Sequence, residues 1–338
     1  MKISVSDELI LKFERAFGFF GLGILGWMIY RLGPGRIAQN LHQVGWGFLV
    51  MVVLASARFF TETLAWRLIL AKEGRKVGLW KLFRTVLQGE SLNYITLTRV
   101  GGEPLKAYAI RERTSLAVAA SSVVVLKFSN LFGFWLVIAA GFLAIFFNAD
   151  VPYPVKMWTG LGLALFGFLL VSLSWFQRFG LFKPVSWMLG KIEAERDWVS
   201  NQVARLARLD EHILETYRSK PGRIAAAIFL CALGWAETMF FIWVALDFLN
   251  MQEHWFVPTL IATLSMLLSS LFFFVPWKAG TQEGTMVLTF TILNMSEPAG
   301  LSVAILRRLS EIFWVFLGLA TFAIETVSAS APAPASKS

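Results

Sequence analysis

The stretch FVPTLIATLSMLLSSLFFFV (residues 256–275) contains no charged residue, and the polar sequence PWKAGTQEGT (276–285) follows it directly. A second apolar piece, MVLTFTIL (286–293), comes next. Because proline and glycine interrupt helices, this pattern predicts two helical pieces separated by a polar break. Irregular backbone at membrane depth is tolerated only where it is buried in protein or lines a wet cavity. The meaning of the break therefore depends on whether the chain lies in a membrane.

The composition of the chain is that of a membrane protein. Of its 338 residues, 57% are hydrophobic and 16% are charged, whereas soluble domains have about 45–50% apolar and about 25% charged residues. Long apolar segments with few charges are typical of spanning helices. Such segments lie near 16–32, 45–66, 116–147, 157–175, 224–249 and 300–325. We therefore predict an all-α polytopic membrane protein with about six spanning helices.

A second stretch has the same pattern of helical pieces and a polar break as residues 257–295. Residues 79–113 form a helical piece, a glycine-rich break and another short helical piece. If both stretches return to the side from which they enter, most Lys and Arg fall on one side, with the segments 67–113 and 176–223. The opposite side then receives only Arg31, Arg36, Lys156 and Lys278. Since basic residues concentrate in cytoplasmic loops, the pattern favours two re-entrant helical hairpins from opposite faces and cytoplasmic N- and C-termini.

The chain is predicted to form a single transmembrane domain over residues 1–326. Within it, residues 176–223 combine apolar residues at helical spacing with alternating charges, which indicates a cytoplasmic amphipathic helix. A connector on the inner leaflet and a docking arm for a partner are both compatible with this segment. Residues 327–338 are of low complexity and predict a disordered tail.

Several classes of function are disfavoured. The only cysteine is Cys231, and the three histidines His42, His212 and His254 lie far apart, so we expect no metal site and no cofactor. Basic loops beside anionic lipid explain the net charge of +9 better than a nucleic-acid partner does. The chain has no nucleotide-binding loop and no nucleophile–histidine motif, which argues against an enzyme.

The two breaks have similar sequences that suit an anionic ligand. The first is RVGGEPLK (99–106) and the second is KAGTQEG (278–284); each runs from a basic residue through glycine to glutamate. Glycine permits a sharp turn and a close approach of the ligand, and the N-terminus of a half-helix suits a phosphate oxygen. Broken helices at matching positions in two halves point to a transport site. The sequence thus predicts an inverted repeat with a polar cleft between the breaks.

The candidate substrate-binding residues belong to the two breaks or are polar residues inside predicted spans, where a charge is costly and often marks a pathway. They are Arg99, Gly101, Gly102, Glu103, Lys106, Lys127, Asn130, Glu237, Lys278, Gly280, Glu283, Arg308 and Glu311. In this interpretation the glycines supply N–H donors and the basic side chains neutralise a phosphate. The glutamates set the charge balance or bind a coupling proton.

Structural roles are the alternative for the same charges. The carboxylates of the breaks could cap helix N-termini, and buried charges could simply pair to hold helices together. Arg58 and Glu62 are four residues apart, as are Arg307 and Glu311, so each pair could form on one helix face.

At these residues the sequence resembles the transmembrane, flippase-like domain family of lysylphosphatidylglycerol synthases. The early motif is LNYITLTRVGGEPLKAY (92–108), the late motif is VPWKAGTQEGTMVL (275–288), and the likeness covers roughly residues 10–325. Two departures lie in the early motif. The family's proline before the turn is replaced around Leu97–Thr98, and Lys106 stands where arginine is usual.

A third departure lies in the middle helix. The sequence LKFSN places Leu126, Lys127 and Asn130 where the family has a Glu-Arg…Asp pattern. If those acidic residues matter to the family's activity, this chain has lost them or moved their role, for which Glu237 is a candidate. The resemblance therefore leaves the substrate open.

The resemblance implies movement of a lipid or a lipid-linked group between the leaflets of a bacterial inner membrane. The implied partners are anionic, glycosylated or isoprenoid membrane lipids, with a homo-oligomer or a biosynthetic protein as further candidates. No soluble synthase domain follows residue 326, so we do not expect a synthase. An intramembrane lipid-headgroup transferase and an accessory subunit of lipid or envelope biosynthesis are the competing interpretations.

Overall fold

The computed structural model describes residues 33–96, 101–147, 152–179, 210–215, 221–251, 253–272 and 280–330, with residues 26, 27, 29–31, 217 and 275. All regular elements in these parts are α-helices, as predicted. In chain order they include α1 (Pro34–Val44), α2 (Gly47–Leu70), α3 (Lys72–Val77), α4 (Leu79–Ile95), α5 (Gly102–Ala109), α6 (Leu116–Phe147), α7 (Tyr153–Phe179), α8 (Pro221–Phe248), α9 (Phe256–Ser270), α10 (Thr281–Ile292) and α11 (Glu297–Ser330).

Four of these helices are long and apolar enough to cross a membrane, namely α2, α6, α7 and α8. They coincide with four of the predicted spans, and α11 contains a fifth. The predicted span 16–32 and the predicted amphipathic region 176–223 lie mostly outside the described residues. Large apolar side chains such as Phe168, Phe229 and Phe316 stay exposed on the outer faces of the helices. So much exposed apolar surface fits lipid rather than water, and the chain is a multi-pass membrane protein.

The central pair of helices, α2 and α8, is antiparallel. Gln43, just before α2, donates a hydrogen bond to the carbonyl of Phe248 at the end of α8 (3.2 Å). Further along, Arg58 of α2 stacks on Trp235 of α8. We call the end of the bundle where α2 ends the basic end, and the opposite end the far end. The basic end carries Lys72, Arg75, Lys76, Lys81 and Arg84.

The first hairpin, α4 and α5, leaves from the basic end and returns to it. It begins directly after α2 and α3, at the basic end. Helix α6 follows the hairpin and also begins there, because Trp66 near the end of α2 donates to Ser122 near the start of α6 (3.0 Å). Deeper in the bundle, Glu62 accepts a hydrogen bond from Asn130 (3.3 Å).

The second hairpin, α9 and α10, leaves from the far end and returns to it. Helix α8 ends there, and α11 begins there, because Asn40 of α1 donates to Ser302 near the start of α11 (3.0 Å). The other end of α11 lies at the basic end, where Glu325 pairs with Arg84 (2.7 Å). The two hairpins thus enter the bundle from opposite ends, as the sequence predicts.

The two halves of the chain repeat one order of elements. Helices α2, α4, α5 and α6 form the first half, and α8, α9, α10 and α11 form the second. Their packing is reciprocal, since α6 packs on α9 and α11 packs on α4. Both crossings are close: a Cβ on Gly141 would overlap Thr263, and one on Gly318 would overlap Ser91. Because the equivalent helices α2 and α8 run in opposite directions, the halves are inverted relative to each other.

Each end of the bundle has its own apolar core, and the charged residues lie between the two cores. On α2, Met51 belongs to the far core and Ala65 to the basic-end core, with Glu62 between them. On α8, Cys231 and Phe241 belong to different cores in the same way, with Glu237 between them. The bundle therefore has a polar layer near its middle.

Exposed aromatic side chains mark both ends of the bundle. Trp46 and Trp255 lie at the far end, and Trp80 and Tyr108 lie at the basic end; all four are exposed. Such rings are enriched at membrane–water interfaces. Their positions place the polar layer at membrane depth, between the two interfaces.

Candidate functional site

Lys106 lies at the centre of the first hairpin, with its side chain only 1% exposed. Its Nζ atom is 2.9 Å from Glu62 Oε1, 2.6 Å from Glu90 Oε1 and 3.5 Å from Glu103 Oε2. These carboxylates come from α2, α4 and α5 respectively. One buried ammonium thus holds three helices together and gives each carboxylate a cationic partner at a place where an unpaired charge would be costly.

Asn93 closes the turn of the first hairpin. Its Nδ2 donates to Glu90 (3.1 Å) and Glu103 (3.0 Å), and its Oδ1 accepts the N–H of Gly102 (2.7 Å). The Gly102 N–H, which the sequence assigns to a substrate, is therefore used inside the hairpin. Glycine is needed at this position for a different reason, since a Cβ on Gly102 would overlap the carbonyl oxygen of Gly89.

Lys127 of α6 lies at the mouth of this cluster. Its Nζ is 2.8 Å from Glu103 Oε1, and its side chain is 38% exposed, in contrast to Lys106. A small cavity beside it is lined by Arg58, Glu62, Glu90, Glu103, Lys106, Leu126, Lys127 and Asn130. It has room for little more than a water molecule. The Glu103–Lys127 pair must therefore separate before a larger group can enter.

Trp235 of α8 fixes two polar side chains of the first half. Its indole N–H donates to Asn130 Oδ1 (2.9 Å), and the Arg58 guanidinium stacks 3.8 Å from the centre of its ring. The ion pair that the spacing of Arg58 and Glu62 permits does not form: Glu62 instead accepts hydrogen bonds from Lys106 and Asn130. Because the Arg58 guanidinium stacks on Trp235, it lies beside the Lys106 cluster and forms no ion pair with Glu62.

A second cluster lies between α8, α10 and α11. Arg307 Nη1 is 3.2 Å from Glu237 Oε1, and Arg307 Nε is 3.4 Å from Glu311 Oε1, which confirms that Arg307 and Glu311 share a face. The next residue, Arg308, bonds both carboxylate oxygens of Glu283 through Nε and Nη2. The Glu283 side chain is fully buried, and that of Arg308 is 14% exposed.

The two clusters are neighbours through Arg58. Arg58 lines the cavity of the first cluster. Its guanidinium stacks on Trp235, which lies two residues before Glu237 of the second cluster. The predicted residues of the two hairpins therefore belong to one polar layer.

The remaining predicted residues are placed only in part. Arg99 and Lys278 lie outside the described residues. Gly101 has an ordinary helical φ of −59°. Gly280 begins α10 with a φ of 71°, a left-handed conformation that favours glycine. Its carbonyl accepts the N–H of Gly284 (2.9 Å).

Glu90 and Asn93 are central to the first cluster but are absent from the predicted set. Their signal is present in LQGESLNYI (87–95), where two polar residues three apart interrupt an apolar arm just before the break. Among the residues that the structure describes, no group of His, Cys, Asp and Glu side chains is arranged to hold a metal ion. The charged residues of the two clusters are instead arranged as ion pairs.

The fold and these charges define a multi-pass α-helical membrane protein in which two broken hairpins meet at a buried polar layer. The family described as "Lysylphosphatidylglycerol synthase TM region" matches residues 14–319, and the chain belongs to this family. The membership predicted from the two glycine motifs is thereby confirmed. The chain is also similar to a UPF0104 membrane protein of Methanothermobacter thermautotrophicus. The two are 22% identical in an alignment covering 90% of this chain and 92% of the relative. No solved structure matches the chain.

Proposed function

We propose that the protein moves a lipid or a lipid-linked group between the two leaflets of a cytoplasmic membrane. The observation that carries this proposal is the half-exposed Lys127, paired with Glu103 at the mouth of an otherwise buried charge cluster. Charges at membrane depth are costly and are retained where a pathway needs them. Two broken hairpins in inverted halves are the arrangement in which many transporters bind substrate. Membership of a family named for the membrane region of a lipid-modifying synthase also supports a lipid substrate.

In this proposal the headgroup enters the polar layer while the acyl chains stay in the surrounding lipid. A phosphate would take the place of the Glu103 carboxylate on Lys127. Glu103 would keep its contacts with Lys106 and Asn93, so its charge would not be left unpaired. Exchange of one ion pair for another avoids the high cost of an isolated buried charge.

The proposed orientation places the basic end in the cytoplasm. Helices α3 and α4 carry several Lys and Arg residues there, whereas the far end carries few, and basic segments stay on the cytoplasmic side. Because α11 ends at the basic end, the C-terminus would also be cytoplasmic. The first hairpin would then open towards the inner leaflet, and the second towards the outer leaflet.

The test is transbilayer movement of a fluorescent phospholipid in liposomes that contain the purified protein. Lys127→Ala and Glu283→Gln should each slow the movement by about tenfold or more, since a hydrogen bond to a charged group contributes about 1.5–3 kcal/mol. Lys76→Ala is the matched control, because this lysine is exposed at the basic end. If both site variants fold and move lipid at the normal rate, the assignment of the site is rejected.

The convergence of three carboxylates on Lys106 supports one other function, an intramembrane transferase acting on lipid headgroups. Glu62, Glu90 and Glu103 come from separate helices to within 3.5 Å of one ammonium, and carboxylates can serve as general acids or bases. Each is already bonded to Lys106, so a proton transfer would first have to break that pair. Formation of a new product from labelled lipid by the pure protein would favour this function over transport.

A further inference from the structure

The cavity beside Lys127 is lined by equal numbers of opposite charges. The charged lining residues are Arg58 and Glu62 of α2, Glu90 of α4, Glu103 and Lys106 of α5, and Lys127 of α6. The two other lining residues, Leu126 and Asn130, are uncharged. The formal charges of the residues around the cavity therefore sum to zero.

A phosphate diester that enters this cavity adds one negative charge. The cavity lies in the polar layer between two apolar cores, where an uncompensated charge costs far more than in water. Lys127 gives the phosphate a partner, but it brings no additional positive charge, because it already balances a carboxylate. The filled cavity therefore has an excess charge of −1 unless the headgroup has a cation of its own or a proton enters with it.

Glu103 is the carboxylate that gives up its cation in this exchange. Its Oε1 is 2.8 Å from Lys127 Nζ, and its Oε2 is 3.5 Å from Lys106 Nζ. Glu62 and Glu90 lie closer to Lys106 Nζ, at 2.9 Å and 2.6 Å. Once Lys127 binds a phosphate, Glu103 stays in contact with Lys106, but as the most distant of three carboxylates that share one positive charge.

The surroundings of Glu103 suit a neutral carboxylic acid as well as a carboxylate. Asn93 Nδ2 donates to Glu103 Oε1 (3.0 Å), and the oxygen of either form accepts such a bond. Lys127, which is 38% exposed, connects Glu103 to the mouth of the cavity, so a proton has a route from water. A protonated Glu103 can donate its O–H to a phosphate oxygen, whereas a carboxylate would repel the phosphate.

We propose that an anionic headgroup enters the cavity together with one proton, which binds to Glu103, and that lipid movement is thereby coupled to a proton gradient. This inference rests on the proposed function and names the coupling ion of the same site. The Glu103 carboxylate accepts the proton from water on one side as Lys127 passes to the phosphate. It returns the proton to water on the other side when the phosphate leaves. One phosphate diester and one proton cross together, so the movement transfers no net charge.

The distribution of acyl-labelled phosphatidylglycerol between the leaflets of liposomes that contain the purified protein tests this coupling. Under a pH gradient without a membrane potential, the lipid should accumulate in the leaflet facing the more alkaline side, by up to about tenfold per pH unit. At uniform pH, a potential set with potassium and valinomycin should leave the distribution unchanged, because lipid and proton together are neutral. Phosphatidylethanolamine is the matched lipid: its ammonium replaces the proton, so a pH gradient should not redistribute it.

Glu103→Gln has no charge at this position and should move phosphatidylglycerol without a proton. The pH gradient should then lose its effect, and a membrane potential should draw the lipid to the positive side. Glu73→Gln is the matched control, because Glu73 is a carboxylate of the basic end, paired with Lys76 outside the polar layer. This variant should follow the pH gradient as wild type does.

Four results would overturn the inference. If wild-type protein distributes phosphatidylglycerol by the potential and not by the pH gradient, proton coupling is rejected and the proposed function stands. If a sodium gradient at uniform pH drives the accumulation, the coupling ion is sodium. If a folded Glu103→Gln variant still follows the pH gradient, the proton binds elsewhere. If no lipid moves at any pH, the proposed function fails as well. The wild-type gradients decide the coupling even if Glu103→Gln does not fold.

Discussion

Each hairpin has an ion pair between a glutamate of its short helix and a cation of the following long helix, but the two hairpins differ in the buried charges next to that pair. In the first hairpin the short helix carries Lys106, which binds carboxylates of three helices. In the second hairpin the short helix α10 carries no basic residue, and the deeper cation is Arg307 of α11. The first hairpin is therefore fastened to α2 by a charge of its own, and the second is fastened to α11 through Glu283. Lys106 is therefore buried among carboxylates that fasten helices together, whereas Lys127 is more exposed and is the cation that the proposed function assigns to a substrate.

The largest effect on the free energy of unfolding is expected for Lys106→Met. The substitution leaves three carboxylates without their shared cation, and removing one partner of a buried ion pair costs about 3–5 kcal/mol. We expect a loss of this size in the free energy of unfolding, measured by denaturation in mixed micelles. Arg307→Met, which leaves Glu237 and Glu311 without their cation, should cost less. Lys76→Met is the exposed control, and equal stability of Lys106→Met and this control would contradict the fastening role of Lys106.

A second test compares a glycine from each hairpin. A Cβ on Gly102 would overlap the carbonyl of Gly89, so Gly102→Ala must push α4 and α5 apart, at about 1–3 kcal/mol of overpacking. Gly284 has nothing within 4 Å of such a Cβ. Since alanine favours a helix over glycine by about 1 kcal/mol, Gly284→Ala should be stabilising. Melting temperatures of the two variants should shift in opposite directions, and a common direction would show that the two turns are equally packed.

The smallest expected effect concerns the outer contacts of the hairpins. Glu325 at the end of α11 pairs with Arg84 and Lys81 at the start of α4. The equivalent contact in the other half, the end of α6 on the start of α9, is apolar and joins Ile145 to Leu260. Glu325→Gln should lower stability by less than about 1 kcal/mol, because the pair is partly exposed. The difference from wild type should vanish in high salt, whereas an unchanged difference would point to packing instead.

The sequence predicts the two hairpins and their entry from opposite ends of the bundle, because both leave local signals. Glycine and proline between apolar runs mark each break, and the uneven distribution of Lys and Arg indicates that the hairpins enter from opposite ends. The helix order in the structure agrees with both. The charge pattern at 99–106 and 278–284 likewise predicts that the two halves of the chain form an inverted repeat. Each motif is only seven or eight residues long.

These local sequence signals do not predict which residues of different helices contact each other. The i,i+4 rule correctly pairs Arg307 with Glu311, but it also pairs Arg58 with Glu62. Arg58 instead finds the ring of Trp235, on a helix far away in the chain. Lys106 is predicted to face a substrate, and the structure gives it three carboxylates because α2 and α4 converge on it. Spacing within one helix contains no information on such convergence.

The antiparallel crossing of α2 and α8 has a consequence for how the halves can move. A Cβ on Gly234 of α8 would overlap the hydroxyl of Thr61 of α2, so the two backbones touch there. Since this contact lies near the middle of both helices, rocking of one helix on the other about this point would widen one mouth of the bundle as it narrows the other. We expect a larger side chain at this contact, such as Gly234→Val, to hinder rocking in both directions, so the crossing is a site at which an inhibitor would block both openings.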